Sequence, residues 1–199
     1  MSNPKIAVII GSTRKARFAD KPAAWFMDQV KDHPELDFEL VDLRDFNLPI
    51  FDEVASNAYA PPTSPEAQKW QDTVKGFDGY VFITPEYNHS IPGSLKNALD
   101  HDFTGWGRKP MGAVAYGSMG GARSLEHLRN IAVELQMVPL RNAVHIGGAD
   151  FFKVWSGGQD APISEIEGNL ENALKSTLSE LSWWARTLKP AREELKEAA

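Results

Sequence analysis

The sequence contains no cysteine. A thiol nucleophile, a disulfide framework and a cysteine-based metal site are therefore excluded, and any redox chemistry must come from a bound group. A strong excess of one charge is also missing. The net charge of −6 gives no global attraction to nucleic acid or to an acidic membrane, which leaves only local basic patches to consider. No stretch approaches the roughly 18 consecutive apolar residues of a membrane-crossing helix. The opening MSNPKIAVII enters a strand-like run too short for a signal sequence with its cleavage site, so a cytoplasmic protein is expected. The phosphate-binding patterns G-x-G-x-x-G and G-x-x-x-x-G-K-[ST] are absent, as is the G-x-S-x-G setting of a hydrolase nucleophile. No metal cluster is suggested, because His89 and His101 have no second group of ligands near them in the sequence.

What remains is a chain of 199 residues with an ordinary apolar content of 42 %, enough for one domain with a sizeable core spanning 1–199. Short apolar runs rich in β-branched and aromatic residues predict buried strands at 5–10, 38–43, 79–84, 110–116 and 140–146. Between and after them, five helices are expected: from Asp20 (an N-cap, with Pro22 in the first turn) to before Pro34, at 66–75, from Pro92, at 122–136 and at 163–188. In the third of these, Leu95, Ala98 and Leu99 form an apolar i, i+3, i+4 face. Residues 151–158 read as an aromatic and glycine-rich loop, and 189–199 as a charged tail forming a frayed or solvent-exposed helix end. Alternating strands and helices imply a parallel sheet covered on both faces. The expected fold is α/β, a doubly wound five-stranded sheet of order 2-1-3-4-5.

In that order the loops after strands one, three and four meet at a single crevice, where a ligand is expected. The first, GSTRKAR, has Gly11 for a tight turn, hydroxyls on Ser12 and Thr13, and positive charge on Arg14, Lys15 and Arg17 at a helix start. Such a terminus favours an anion, and an arginine fork suits a phosphate. A surface turn with solvated basic residues is the other reading of the same pattern. The second loop, PEYNHS, is stiffened by Pro85 and Pro92, with an aromatic wall in Tyr87 and backbone donors and acceptors at Glu86 and Asn88. That suits a flat ring with a polar edge; the plainer alternative is a strand-to-helix connection capped by Ser90. In the third, Gly117, Gly120 and Gly121 let the backbone approach a ligand, and Ser118 can bond its edge. Glu86 is read as lending mainly backbone atoms, and His127 and His145 as ordinary helix-surface and strand-end residues. Asp100, His101 and Asp102 read as a helix C-terminal network.

Taken together, GSTR with its basic continuation, TPEYNHSIPGSLKNALDH and KPMGAVAYGSMGGAR resemble the NADPH-dependent FMN reductase family of the flavodoxin-like superfamily, which includes quinone, chromate and azo-dye reductases. The resemblance spans residues 5 to about 146. It implies FMN as cofactor, with the phosphate on Ser12, Arg14 and the loop to Arg17. The ring edge would then lie along Pro85, Glu86, Tyr87 and Asn88, with Gly117, Ser118 and Gly120 adding contacts. It also implies NADPH or NADH as donor, a small-molecule acceptor, and a homodimer or homotetramer with flavin sites near subunit contacts. Leu48-Pro49-Ile50-Phe51 resembles a family segment bordering the active site. Arg17-Phe18-Ala19-Asp20 departs from the Ser or Asn that many members carry there, which moves phosphate ligation toward arginines and backbone. His101 stands where many relatives have Trp. The resulting expectation is ping-pong hydride transfer from NAD(P)H through FMN to a quinone, a flavin or a similar acceptor. The flavin carries that chemistry, so no dedicated catalytic acid or base is expected. An electron carrier without turnover is the alternative. Against it stand the basic first loop and an acidity too modest for docking positive partners. A phosphoester hydrolase on the same fold is a third reading.

Overall fold

The structure is a computed structural model that describes residues 2–197. Six parallel strands form one sheet: β1 (Lys5–Ile10), β2 (Asp37–Asp42), β3 (Gly79–Pro85), β4 (Pro110–Tyr116), β5 (Val138–Pro139) and β6 (Val144–Ile146). The order is β2-β1-β3-β4-β5, with β6 also paired to β4. β1 therefore sits between β2 and β3, with Val8 opposite both Leu40 and Val81.

Alternation along β1 divides the core in two. Ile6, Val8 and Ile10 pack with Trp25, Phe26 and Val30 of α1 (Asp20–Val30) and with Leu170, Leu174 and Leu181 of α6 (Glu167–Glu197). Ala7 and Ile9 face the other side, among residues of α2 (Pro65–Lys75), α3 (Gly93–Asp100) and α4 (Ala122–Glu134). Such successive burial on both faces is what makes the central strands continuous apolar runs. Among the described residues no helix is long and apolar enough to cross a membrane.

The expected fifth strand is broken into β5 and β6. Between them the N–H groups of Arg141 and Asn142 donate to the Glu180 carboxylate on α6 (3.1 and 3.0 Å), and Arg129 takes the carbonyls of Leu140 and Arg141. Side chains from two helices thus claim the backbone groups that a ladder would have used. The aromatic loop is not all loop either, because residues 148–154 form a short helix, α5 (Gly148–Val154). A 3-10 turn at Ile163–Glu165 precedes α6, which passes through Pro190 and continues to Glu197. The charged tail is anchored rather than frayed: Arg192 and Lys189 pair with Asp78 at 2.6 and 3.3 Å. Residues 198 and 199 of that tail lie outside the described residues. Asp20 is the first helical residue of α1, one position past the expected cap, and its carboxylate binds Arg17 instead.

Candidate active site

The first loop leaves β1 at Gly11, where a Cβ would stand 3.0 Å from the Leu95 side chain, so α3 packs closely under the turn. Two arginines take the loop's carbonyl oxygens. Arg17 donates to the Ser12 carbonyl (2.9 Å), and Arg44 reaches the carbonyls of Thr13, Arg14 and Lys15. The N–H groups of Ser12, Thr13, Arg14 and Lys15 have no acceptor among the described residues. A loop held by its carbonyls with its amides free is built to receive an anion.

The arginines of this loop divide the work. Arg17, expected on the phosphate, is buried beneath the loop, where its guanidinium binds Asp42 (2.7 Å) and Asp20 (2.8 Å). Burial opposes its charge, but these bonds outweigh it and raise its pKa above the ordinary value. Burial likewise works to raise the Asp42 carboxyl, yet the bonds from Arg17 and Arg44 hold it below the usual range. Arg14 is exposed, with its guanidinium 3.3 Å from the Tyr87 hydroxyl and 5.6 Å from that ring's centre. The buried Ser12 hydroxyl meets the same Tyr87 hydroxyl at 3.1 Å. Tyr87 therefore joins the first loop to the second.

The second loop is a two-residue turn closed by mutual backbone bonds between Tyr87 and Ser90 (2.9 and 3.0 Å). Asn88 and Asn88's neighbour His89 occupy its tip at φ 51° and 67°. Both values lie in the left-handed region that a tight turn of this kind requires. The Ser90 side chain does not cap α3: its hydroxyl lies 2.6 Å from Nδ1 of His127, and α3 begins after Pro92 with no side-chain cap. Glu86 does more than lend backbone. Its carboxylate accepts from the N–H (3.1 Å) and Nε (2.5 Å) of Arg123 at the start of α4, fixing the second loop to the third. Burial works against that charge, but the Arg123 bonds win and lower the Glu86 pKa. Arg123 also donates to His89 Nε2 at 2.7 Å. The Pro85 carbonyl accepts from the Ser124 hydroxyl at 2.8 Å.

In the third loop Gly117, Gly120 and Gly121 all have positive φ. At Gly121 a Cβ would lie 2.7 Å from the Tyr116 nitrogen, so only glycine fits. Ser118 is exposed and its carbonyl accepts from Gly148 N–H at 3.0 Å, which ties α5 to this loop. His145, at the strand end as expected, faces the Gly120 carbonyl at 2.7 Å. The Leu48–Phe51 segment docks on α3 through Asn97, which donates to the Pro49 carbonyl (2.7 Å) and accepts from Phe51 N–H (2.8 Å). His101 Nε2 meets the same Pro49 carbonyl at 2.9 Å, and its ring stands edge-on to Phe51. A hollow of about 460 Å³ lies beside the first loop, lined by Thr13, Arg44, Leu48, Ile50, Ser94 and Asn97.

The three loops are thus connected, Ser12 and Arg14 meeting Tyr87, and Glu86 lying against Gly117 and Arg123. Sequence reasoning missed Arg123, Arg44, Asp42 and Tyr116, whose contacts join segments far apart in the chain. For Tyr116, its place as the last residue of a buried strand before a glycine loop was a usable signal.

The family model of the NADPH-dependent FMN reductases matches residues 4–150. The chain belongs to this family. Its relatives include the NAD(P)H-dependent FMN reductase ntnL of Nectria sp, 32 % identical over 77 % of this chain and 82 % of that one. A quinone reductase of Pseudomonas putida is also 32 % identical, over 72 % of this chain and 78 % of its own. Among solved structures, FerB of Paracoccus denitrificans, described as a flavoenzyme NAD(P)H:(acceptor) oxidoreductase, superposes with a TM-score of 0.66 at 22 % identity. That match covers 93 % of this chain and 98 % of FerB and shows the shared fold. As a member of the NADPH-dependent FMN reductase family, the chain is an oxidoreductase enzyme and not a passive electron carrier.

Proposed function

We propose that the chain is an FMN-dependent NAD(P)H oxidoreductase acting on a quinone, a flavin or a similar small acceptor. The observation that carries this is the first loop, whose carbonyls are held by Arg17 and Arg44 while four consecutive N–H groups have no acceptor among the described residues and Arg14 is exposed. Those donors fit the phosphate of FMN. When bound, the flavin supplies the chemistry, accepting a hydride from NAD(P)H and passing it on in a separate half-reaction.

The chain's own residues bind and orient. Ser12, Arg14 and the free amides would hold the phosphate, with Arg17 fixing the loop through the Ser12 carbonyl. Pro85, Glu86, Tyr87 and Asn88 would present backbone groups to the ring edge from a turn made rigid by its paired bonds and the Glu86–Arg123 latch. Gly117, Ser118 and Gly120 would allow close backbone approach from the neighbouring loop. A homodimer or homotetramer fits the exposed apolar side chains Ile50, Val54 and Tyr59 in the long loop beside the site. A reduced nicotinamide donor fits a cytoplasmic location, and the whole chain acts as one domain.

The test is a visible spectrum of the FMN-reconstituted protein before and after anaerobic NADPH or NADH, followed by turnover with a quinone. Bleaching of the flavin bands within seconds and steady consumption of the nicotinamide are expected. Bound flavin that ignores both nucleotides, or protein that binds no flavin, would overturn the proposal.

A further inference from the structure

Tyr116 ends β4 one residue before Gly117, and its carbonyl accepts from Glu86 N–H at 3.0 Å. Its side chain joins Val114 in the core on the α1–α6 side, the side from which the first loop runs into α1. There the ring stands edge-on to Phe18 at 5.0 Å and stacks beside Phe151 at 6.5 Å. Carbon therefore grips the ring, but nothing grips its oxygen. The hydroxyl is buried and has no hydrogen-bond partner among the described residues. A phenylalanine would fill the same place without a stranded polar atom.

The groups that act on this hydroxyl electrostatically are Tyr87, Arg17, Arg14 and Asp20. All belong to the first loop, the start of α1 and the turn after β3. Asp20 is bound by Arg17, which leaves Arg14 as the open donor among them, on a loop whose amides at 12–15 have no acceptor among the described residues. Burial pushes the phenol well above its ordinary pKa, so it keeps its proton and remains a donor.

We propose that the Tyr116 hydroxyl is a ligand of the flavin phosphate, completing from the sheet side the donor set that the first loop offers from above. The inference rests on the FMN reading and deepens it. It assigns the site a group that separates a phosphomonoester from the same molecule without its phosphate, hence FMN from riboflavin.

Tyr116→Phe keeps the ring and removes only the oxygen. By quenching of flavin fluorescence, its FMN dissociation constant should rise roughly ten-fold or more while that of riboflavin stays unchanged. The thermal midpoint of the flavin-free variant should equal or exceed that of the parent, since no internal bond is lost. An unchanged FMN constant would overturn the inference, and so would parallel losses for both flavins or a lowered flavin-free midpoint. If the parent protein itself binds no flavin, the underlying reading falls; if the parent binds and the variant matches it, this inference falls alone.

Discussion

At the amino end of the sheet, Asp78 accepts from Lys5 N–H (3.0 Å) and pairs with Lys189 and Arg192, all three side chains being less than a fifth exposed. At the carboxyl end, Arg14 meets only a tyrosine hydroxyl, and neither Arg14 nor Lys15 has a carboxylate partner among the described residues. The same residue types are thus matched and closed off at one end and left unmatched at the other. Matched pairs hold the fold together, whereas the unmatched donors are those proposed above to receive the ligand. Arg17 belongs by position to the open end but by its contacts to the closed kind, because Asp20 and Asp42 surround it.

The comparison can be broken most severely at Arg17. Arg17→Ala should leave Asp42 without its charge partner and the Ser12 carbonyl unpaired, lowering unfolding stability by about 3 kcal/mol in a denaturant titration, with flavin affinity falling alongside. A loss below about 1 kcal/mol would show that the clamp is not structural. Asp78→Asn should cost about 2 kcal/mol, since the largely buried Lys189 and Arg192 lose their charge partner, yet it should leave FMN affinity unchanged. Arg14→Ala should do the reverse, weakening FMN about ten-fold while stability stays within about 0.5 kcal/mol. Equal effects of these last two on stability would erase the distinction between the ends.

Glu86→Gln should give the smallest effect, about 1 kcal/mol or less. Glu86 has a folded pKa below its ordinary 4.5, so its stabilisation is present above that value and lost as the pH falls through the folded one. The variant should therefore lose stability near neutral pH and show a shallower acid decline. Stability curves of parent and variant that stay parallel below pH 4.5 would detach Glu86 from acid unfolding.

Much of this was legible in the chain. Runs such as KIAVII and GYVFITP declare strands buried on both faces, and their alternation with helices dictates the order that brings three loops together. The loops' glycines, hydroxyls and basic residues mark the crevice. What the sequence hid is what long-range side chains decide. Nothing local tells that Glu180 would cut a strand at Arg141, or that Asp42 would draw Arg17 inward. Residues 148–154 make a helix of two turns, too short for a period to show through one glycine and two phenylalanines. Lys189 and Arg192 looked like a solvated tail because Asp78 is more than a hundred residues away in the chain.

The break between β5 and β6 has a further consequence for how copies of the chain can meet. A sheet exposes a template at each border, where unpaired N–H and C=O groups invite a foreign strand. On one border here the template is only two and three residues long, and Glu180 takes the amides between them. On the other, β2 carries Asp37 and Glu39, whose carboxylates would repel a second copy laid alongside. Both borders are thus poor templates for strand addition, which works against fibril-like growth and leaves helix and loop faces for any contact between copies.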